Sequence, residues 1–194
     1  MSSARGRNLT FTEQARRAQL VDVTIDLVAE EGYAAASLGR IAEQAGITKA
    51  GVLYHFRSKQ ALVDAAYEHV VSAVVAVVGA AVEAAGPADG VAAYIRSMVR
   101  HLHEQPRQVR MLVEAVTSAA PVADAKARWA AVAQLVATAR AARGLAAATD
   151  TRSAALVIGG GIDAIVAESL RDPAYDAIAA AELLVEVVDR GLLS

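Results

Sequence analysis

The chain has 194 residues, of which 47 are alanine and only 4% aromatic, with no cysteine. Alanine favours helix while β-branched and aromatic residues favour strand, so a sandwich or barrel is excluded, as are disulfide scaffolds, thiol nucleophiles and thiolate metal sites. Net charge is −2, but residues 1–59 carry +2 and residues 60–194 carry −4, which turns one end of the chain toward a polyanion.

The first residues are polar, with Arg5 and Arg7, and lack the apolar stretch of a signal peptide. Thr10 and Glu13 have capping-box spacing, which predicts a first helix starting there. Leu20, Val23, Leu27 and Val28 share one face of it, and Gly32 is placed to end it. Ser37 then caps a second helix with Leu38, Ile41, Ala42 and Ala45 on one side. A third short helix follows Gly46, from Thr48 to about Phe56, and Ser58 caps a fourth, long one reaching Ala85. Within that helix, Val70 to Val82 is an apolar run of thirteen residues. A membrane span needs about 20, so a buried helix, no membrane and a cytoplasmic location are expected.

Gly86-Pro87-Ala88-Asp89-Gly90 breaks the chain. Five further helices are predicted: about 91–104, Pro106 to about Ala119, Pro121 to Arg143, 150–171 and 174–192. The fold class is all-α, with nine helices and short connections.

Residues Ser37 to Phe56 have helix-turn-helix chemistry. Ala42 is small where two steeply crossing helices touch, and Gly46 tolerates the positive φ of the tight turn. Ile41, Ile47 and Val52 are placed to lock the pair onto the first helix. That leaves Thr48, Lys49, Ala50, Leu53, Tyr54 and His55 outward on the third helix, a set of donors, a cation and small or flat apolar groups suited to a major groove.

Ile41-Ala42, Ala45-Gly46-Ile47-Thr48-Lys49, Leu53-Tyr54-His55-Phe56 and Arg57-Ser58-Lys59-Gln60-Ala61-Leu62 occur in order and without gaps. Over about residues 12–65 this resembles the tetracycline-repressor (TetR) family of bacterial transcriptional regulators. Two positions depart from the common pattern: Ala50 stands where glycine is frequent, and Leu53 where a tyrosine is. The resemblance implies a DNA-binding domain at residues 1–57, with a flexible basic arm at 1–9, and a helical ligand-binding and dimerisation domain at 58–194. It implies a regulator, expected to be a repressor, that binds a palindromic double-stranded operator as a homodimer and is released by a small apolar effector. By that analogy and by chemistry, Thr48, Lys49, Ala50, Leu53 and Tyr54 face bases or the nearby backbone, and Tyr54 and His55 lie where phosphate is contacted. Ser37 and Lys59 sit at helix N-termini, which favour anions, and Arg40 can reach a phosphate or a guanine.

Two heads must stand about 34–36 Å apart to meet successive half-sites, which requires a dimer. Ile158, Ile162, Ile165 and Leu170, then Ile178, Leu183, Leu184 and Val188, on the last two helices, give the apolar faces of the expected interface, with Ile158, Ile162, Ile165, Leu184 and Val188 at its centre. Tyr94, Met98, His101, Met111 and Trp129 are the larger side chains available to line an effector pocket. His101 and His103 lack same-face helical spacing, so no metal site is expected, and no cofactor. One rival remains: Val157 to Ala164, with Gly159-Gly160-Gly161, satisfies a dinucleotide-binding fingerprint and would make the chain a small oxidoreductase. If it were not that, the glycines would mark a kink or a close helix approach.

Overall fold

The computed structural model describes residues 10–118, 125–147 and 150–194. The arm with Arg5 and Arg7, and Pro121, lie outside the described residues. Among those described there are nine helices and no strand: α1 Phe11–Ala35, α2 Leu38–Gln44, α3 Lys49–His55, α4 Lys59–Ala85, α5 Gly90–Glu104, α6 Pro106–Ser118, α7 Ala125–Ala142, α8 Thr151–Arg171 and α9 Ala177–Leu192. They fall into two compact units, Met1–Val70 with Arg107–Ala120, and Val71–Pro106 with Pro121–Ser194. The first unit therefore includes the start of α4 and α6 from Arg107 onward, beyond the residues 1–57 marked out by the sequence.

In the first unit, short-range caps set the helix starts. Thr10 and Glu13 form the capping box of α1. Ser37 Oγ accepts from the Arg40 N–H at 3.3 Å, Thr48 Oγ1 from Gly51 at 3.1 Å and Ser58 Oγ from Ala61 at 3.1 Å. Each cap satisfies an N–H that the helix itself leaves unpaired. Gly32, at φ 81°, breaks α1 near its end, and Gly46, at φ 66°, makes the turn between α2 and α3. The core gathers Leu20, Leu27 and Val28 of α1, Ile41 and Ala42 of α2, Val52 of α3, Leu62, Val63, Ala66 and Val70 of α4, and Met111 of α6. Two polar grips hold α6 to α1: Arg107 Nη1 lies 2.9 Å from Asp26, and Glu114 Oε2 accepts from the Tyr33 N–H at 3.1 Å.

In the second unit, α8 packs against α7, α9 and α5, and α5 also packs against α9. Asp150 and Asp176 cap α8 and α9, each accepting an N–H at 2.9 Å. Arg143 staples the end of α7 by donating to the Ala88 carbonyl at 3.1 Å, the Leu193 carbonyl at 3.1 Å and the Asp189 carboxylate. The helix α8 runs unbroken through the three glycines, which removes the strand–turn–helix needed for a dinucleotide site. A Cβ on Gly159 would overlap the Trp129 ring, and one on Gly161 would come within 3.0 Å of Leu184. Both glycines are close-packing sites, while Gly160 faces open space.

The expected interface set needs correction. Ile158, Ile162 and Val188 are buried within the single chain, at 0%, 0% and 2% exposure, so they cannot face a partner. Ile165 and Leu184 are half-buried. Of the positions read from sequence, Ile178 and Leu183 on α9 do point outward, beside Leu156 and Val157 on α8 and Val187 on α9. The rest of that stripe is wholly or partly consumed by the monomer's own core. By length and composition α4 and α8 could each cross a membrane. In α8 that apolarity includes Ile158 and Ile162, and in α4 it includes Leu62, Val63 and Val70, all buried in this chain.

Candidate nucleic-acid interface

The outward face of α3 is built from the inside. Val52 and Phe56 are buried, at 0% and 4% exposure, which fixes the helix by its inner side. Thr48, Lys49, Ala50, Leu53 and Tyr54 are left exposed, with Tyr54 the most open of the large side chains there at 65%. The structure thus brings five expected residues onto one surface. His55 is half-buried, and its ring meets that of Tyr54 edge-on, with centroids 5.0 Å apart.

Three side chains of α1 hold this face, and the sequence singled out only Glu13 among them, as a cap. Arg17 donates to the His55 carbonyl and lies 3.9 Å from the Phe56 ring centroid, capping the C-terminal end of α3 with a cation. Gln19 Nε2 donates to the Ala45 carbonyl at 3.4 Å, closing the end of α2. Glu13 Oε1 accepts from the Tyr54 hydroxyl at 3.0 Å. The available signal was position: Arg17 and Gln19 are long polar residues just before Leu20, where the buried stripe of α1 begins.

The expected backbone contacts are differently placed. Ser37 is exposed at the start of α2, its oxygen already accepting the cap bond. Arg40 is exposed and pairs with Glu31. A pair this open is worth about 0–1 kcal/mol and yields readily to another anion. Lys59 begins α4, but its ammonium turns inward, donating to the Tyr33 carbonyl and sitting 4.0 Å from the Tyr33 ring centroid. Burial lowers its pKa below the usual lysine value. At Lys59 the surface offers a helix start and not a free cation.

The five expected pocket residues divide between the two units. Met111 is fully buried in the core of the first unit, which takes it out of any grouping within the second. Tyr94 is buried on α5, while Met98 and His101 are half-buried on the same helix and Trp129 is half-buried against Gly159. The Nε2 of His101 is buried without a hydrogen-bond partner among the described residues. An open cleft of about 210 Å³ is lined instead by Val82, Glu83, Gly86, Pro87, Gly90, Leu135 and Thr138. A second, of about 10 Å³, lies among Val91, Ile95, Val188 and Leu193, with room for about one water. No group of acidic and histidine side chains among the described residues is arranged to hold a metal.

The fold and this face define a class: all-helical chains that carry a helix-turn-helix. Residues 20–66 match the sequence model of the bacterial regulatory proteins of the tetR family. It is 27% identical over 108 residues to the HTH-type transcriptional regulator RutR of Escherichia coli strain K12, covering 56% of this chain and 51% of RutR. It is 36% identical over 58 residues to BetI of Paraburkholderia phytofirmans, covering 30% of each. The chain thus spans about half the length of RutR, or less of BetI, in these matches. Solved structures extend the likeness in fold. A TetR-like transcriptional regulator from Rhodococcus sp. RHA1 has a TM-score of 0.70 at 20% identity, covering 96% of this chain and 100% of that one. The fatty acid degradation regulator FadR from Bacillus halodurans has a TM-score of 0.77 at 19% identity, covering 90% and 98%.

Proposed function

We propose that this chain is a ligand-responsive transcriptional regulator of the cytoplasm, a repressor that binds a palindromic operator as a homodimer and is released by a small apolar effector. The observation that carries it is the α3 face: five exposed side chains with a cation and donors, held on a buried support, inside a domain matched by a regulator family. In this reading Lys49 and Thr48 meet base edges, Leu53 and Ala50 contact thymine methyls or sugar, and Ser37, Arg40 and His55 serve the backbone. Residues 1–57 form the DNA-binding part, and residues 58–194 the part that binds effector and partner.

Dimerisation is supported by the outward apolar residues of α8 and α9, two helices that pack on each other. Gly160, open and exposed between Val157 and Ala164, would let a partner helix approach closely. Effector binding is supported by His101 Nε2, which is buried with no partner among the described residues, a state that costs about 1–3 kcal/mol until a polar group meets it. The effector would favour a conformation whose reading helices are misaligned for the operator, and a coupling of about 1–3 kcal/mol changes affinity roughly 5- to 150-fold. The helix α4 passes from the first unit into the second after Val70, which makes it a covalent route for that coupling.

The test is fluorescence anisotropy with labelled duplexes tiling the DNA that flanks the coding gene. One palindromic segment should be bound preferentially, and binding should weaken steeply with salt as phosphate contacts are screened. Failure of every duplex to bind at low salt would remove the proposal. Sedimentation at micromolar concentration should show a dimer, and a stable monomer would contradict the two-half-site geometry.

A further inference from the structure

The Tyr54 hydroxyl is not free to choose its partner. It donates to Glu13 Oε1 at 3.0 Å, across 41 residues of sequence. The other carboxylate oxygen, Glu13 Oε2, accepts from the Thr10 N–H at 2.8 Å and the Thr10 hydroxyl at 3.0 Å. The capping box uses only Oε2, and glutamine would serve it as well as glutamate. The second oxygen therefore does something the cap does not require. It binds the exposed aromatic residue of α3 through a charge-assisted hydrogen bond, roughly twice as strong as a neutral one. It also sets a negative charge at the edge of a face whose proposed partner is a polyanion.

We propose that Glu13 is a positioning residue that tunes DNA affinity through Tyr54. It keeps the hydroxyl proton committed to a carboxylate, so Tyr54 meets the duplex as an oriented ring and gives a phosphate its hydrogen bond only by breaking the one to Glu13. This rests on the reading that α3 meets DNA. The restraint is one of degree: a moderate operator affinity leaves room for an effector to release the protein.

Glu13→Gln separates the roles, because it keeps the cap and removes the charge. On the flanking-DNA duplex that wild type prefers, Glu13→Gln should bind about three- to tenfold tighter at low salt, the gain shrinking as salt rises. In a Tyr54→Phe background, the same change should lose most of that gain. Unchanged or weaker binding by Glu13→Gln, with an unchanged thermal transition, overturns the proposal. An equal gain in both backgrounds also overturns it, since the charge would then act without Tyr54. Lys49→Ala distinguishes the two levels. If Lys49→Ala weakens binding while Glu13→Gln changes nothing, the role of Glu13 fails and the DNA reading stands. If wild type binds no duplex, both fail.

Discussion

The two units are held together by different kinds of contact. In the first, Thr10, Ser37, Thr48 and Ser58 each accept from an N–H three residues on, so the helix starts are decided within a few residues of sequence. In the second, decisive contacts join distant positions: Trp129 lies on Gly159, Leu184 on Gly161, and Arg143 reaches both Ala88 and Leu193. A substitution on the exposed face of α3, whose helix start is set locally, should act on surface chemistry, while one at Ile158 or Gly159, which pack across the second unit, should act on packing.

The largest effect should come from Ile158→Ala, which empties a fully buried site in the second unit and should cost about 2–5 kcal/mol. Leu183→Ser, on the exposed side of α9, should leave the monomer's stability nearly unchanged and shift sedimentation toward monomer. If Leu183→Ser unfolds the chain instead, α9 is buried in a way this structure does not have. Trp129, the sole tryptophan, reports this unit by its fluorescence during thermal unfolding.

Next is Gly159→Ala, which forces Trp129 aside and should destabilise by about 1–3 kcal/mol. Gly160→Ala, one residue on, should stabilise the isolated chain by up to about 1 kcal/mol, because the position is open and alanine is the better helix former. Equal behaviour of the two variants would break the packing assignment. In the first unit, Lys49→Ala should leave thermal stability within about 0.5 kcal/mol, as exposed substitutions do. Its effect belongs in binding, which should weaken by about 1–3 kcal/mol with discrimination relaxed at the base that Lys49 meets.

The smallest effect concerns the ion pair between Arg96 and Glu182, where Nε–Oε1 is 2.8 Å and Nη2–Oε2 is 2.7 Å. The hydrogen bond from Arg96 lowers the Glu182 pKa and raises that of Arg96. A carboxylate whose folded pKa is depressed adds stability above its unfolded pKa of about 4.3 and loses it as pH falls through the folded value. Thermal melts below pH 5 should therefore show wild type approaching Glu182→Gln. At neutral pH the two should differ by less than about 1 kcal/mol, because both side chains are solvated.

Much of the first unit was legible because its signals are local. Hydroxyl caps, Gly32 and Gly46, and the stripe through Leu20, Leu27 and Val28 recur in the structure where the sequence put them. The exposed set on α3 followed from the burial of Val52 and Phe56, itself a matter of helical period. Lys59 was not legible, since its turn toward Tyr33 depends on where α1 ends in space. Glu13 was visible as a cap but not as the partner of Tyr54.

By itself the sequence determined the starts of α1 to α4, the turn at Gly46 and the residue types of α3, because caps, positive φ and helical period act within one or two turns. Only the tertiary structure decided which face of α8 and α9 the chain keeps for itself, why Gly159 and Gly161 stand in α8, and which α1 side chains hold α3. Those depend on what lies across a contact, and an apolar stripe reads the same whether its neighbour comes from the same chain or from another.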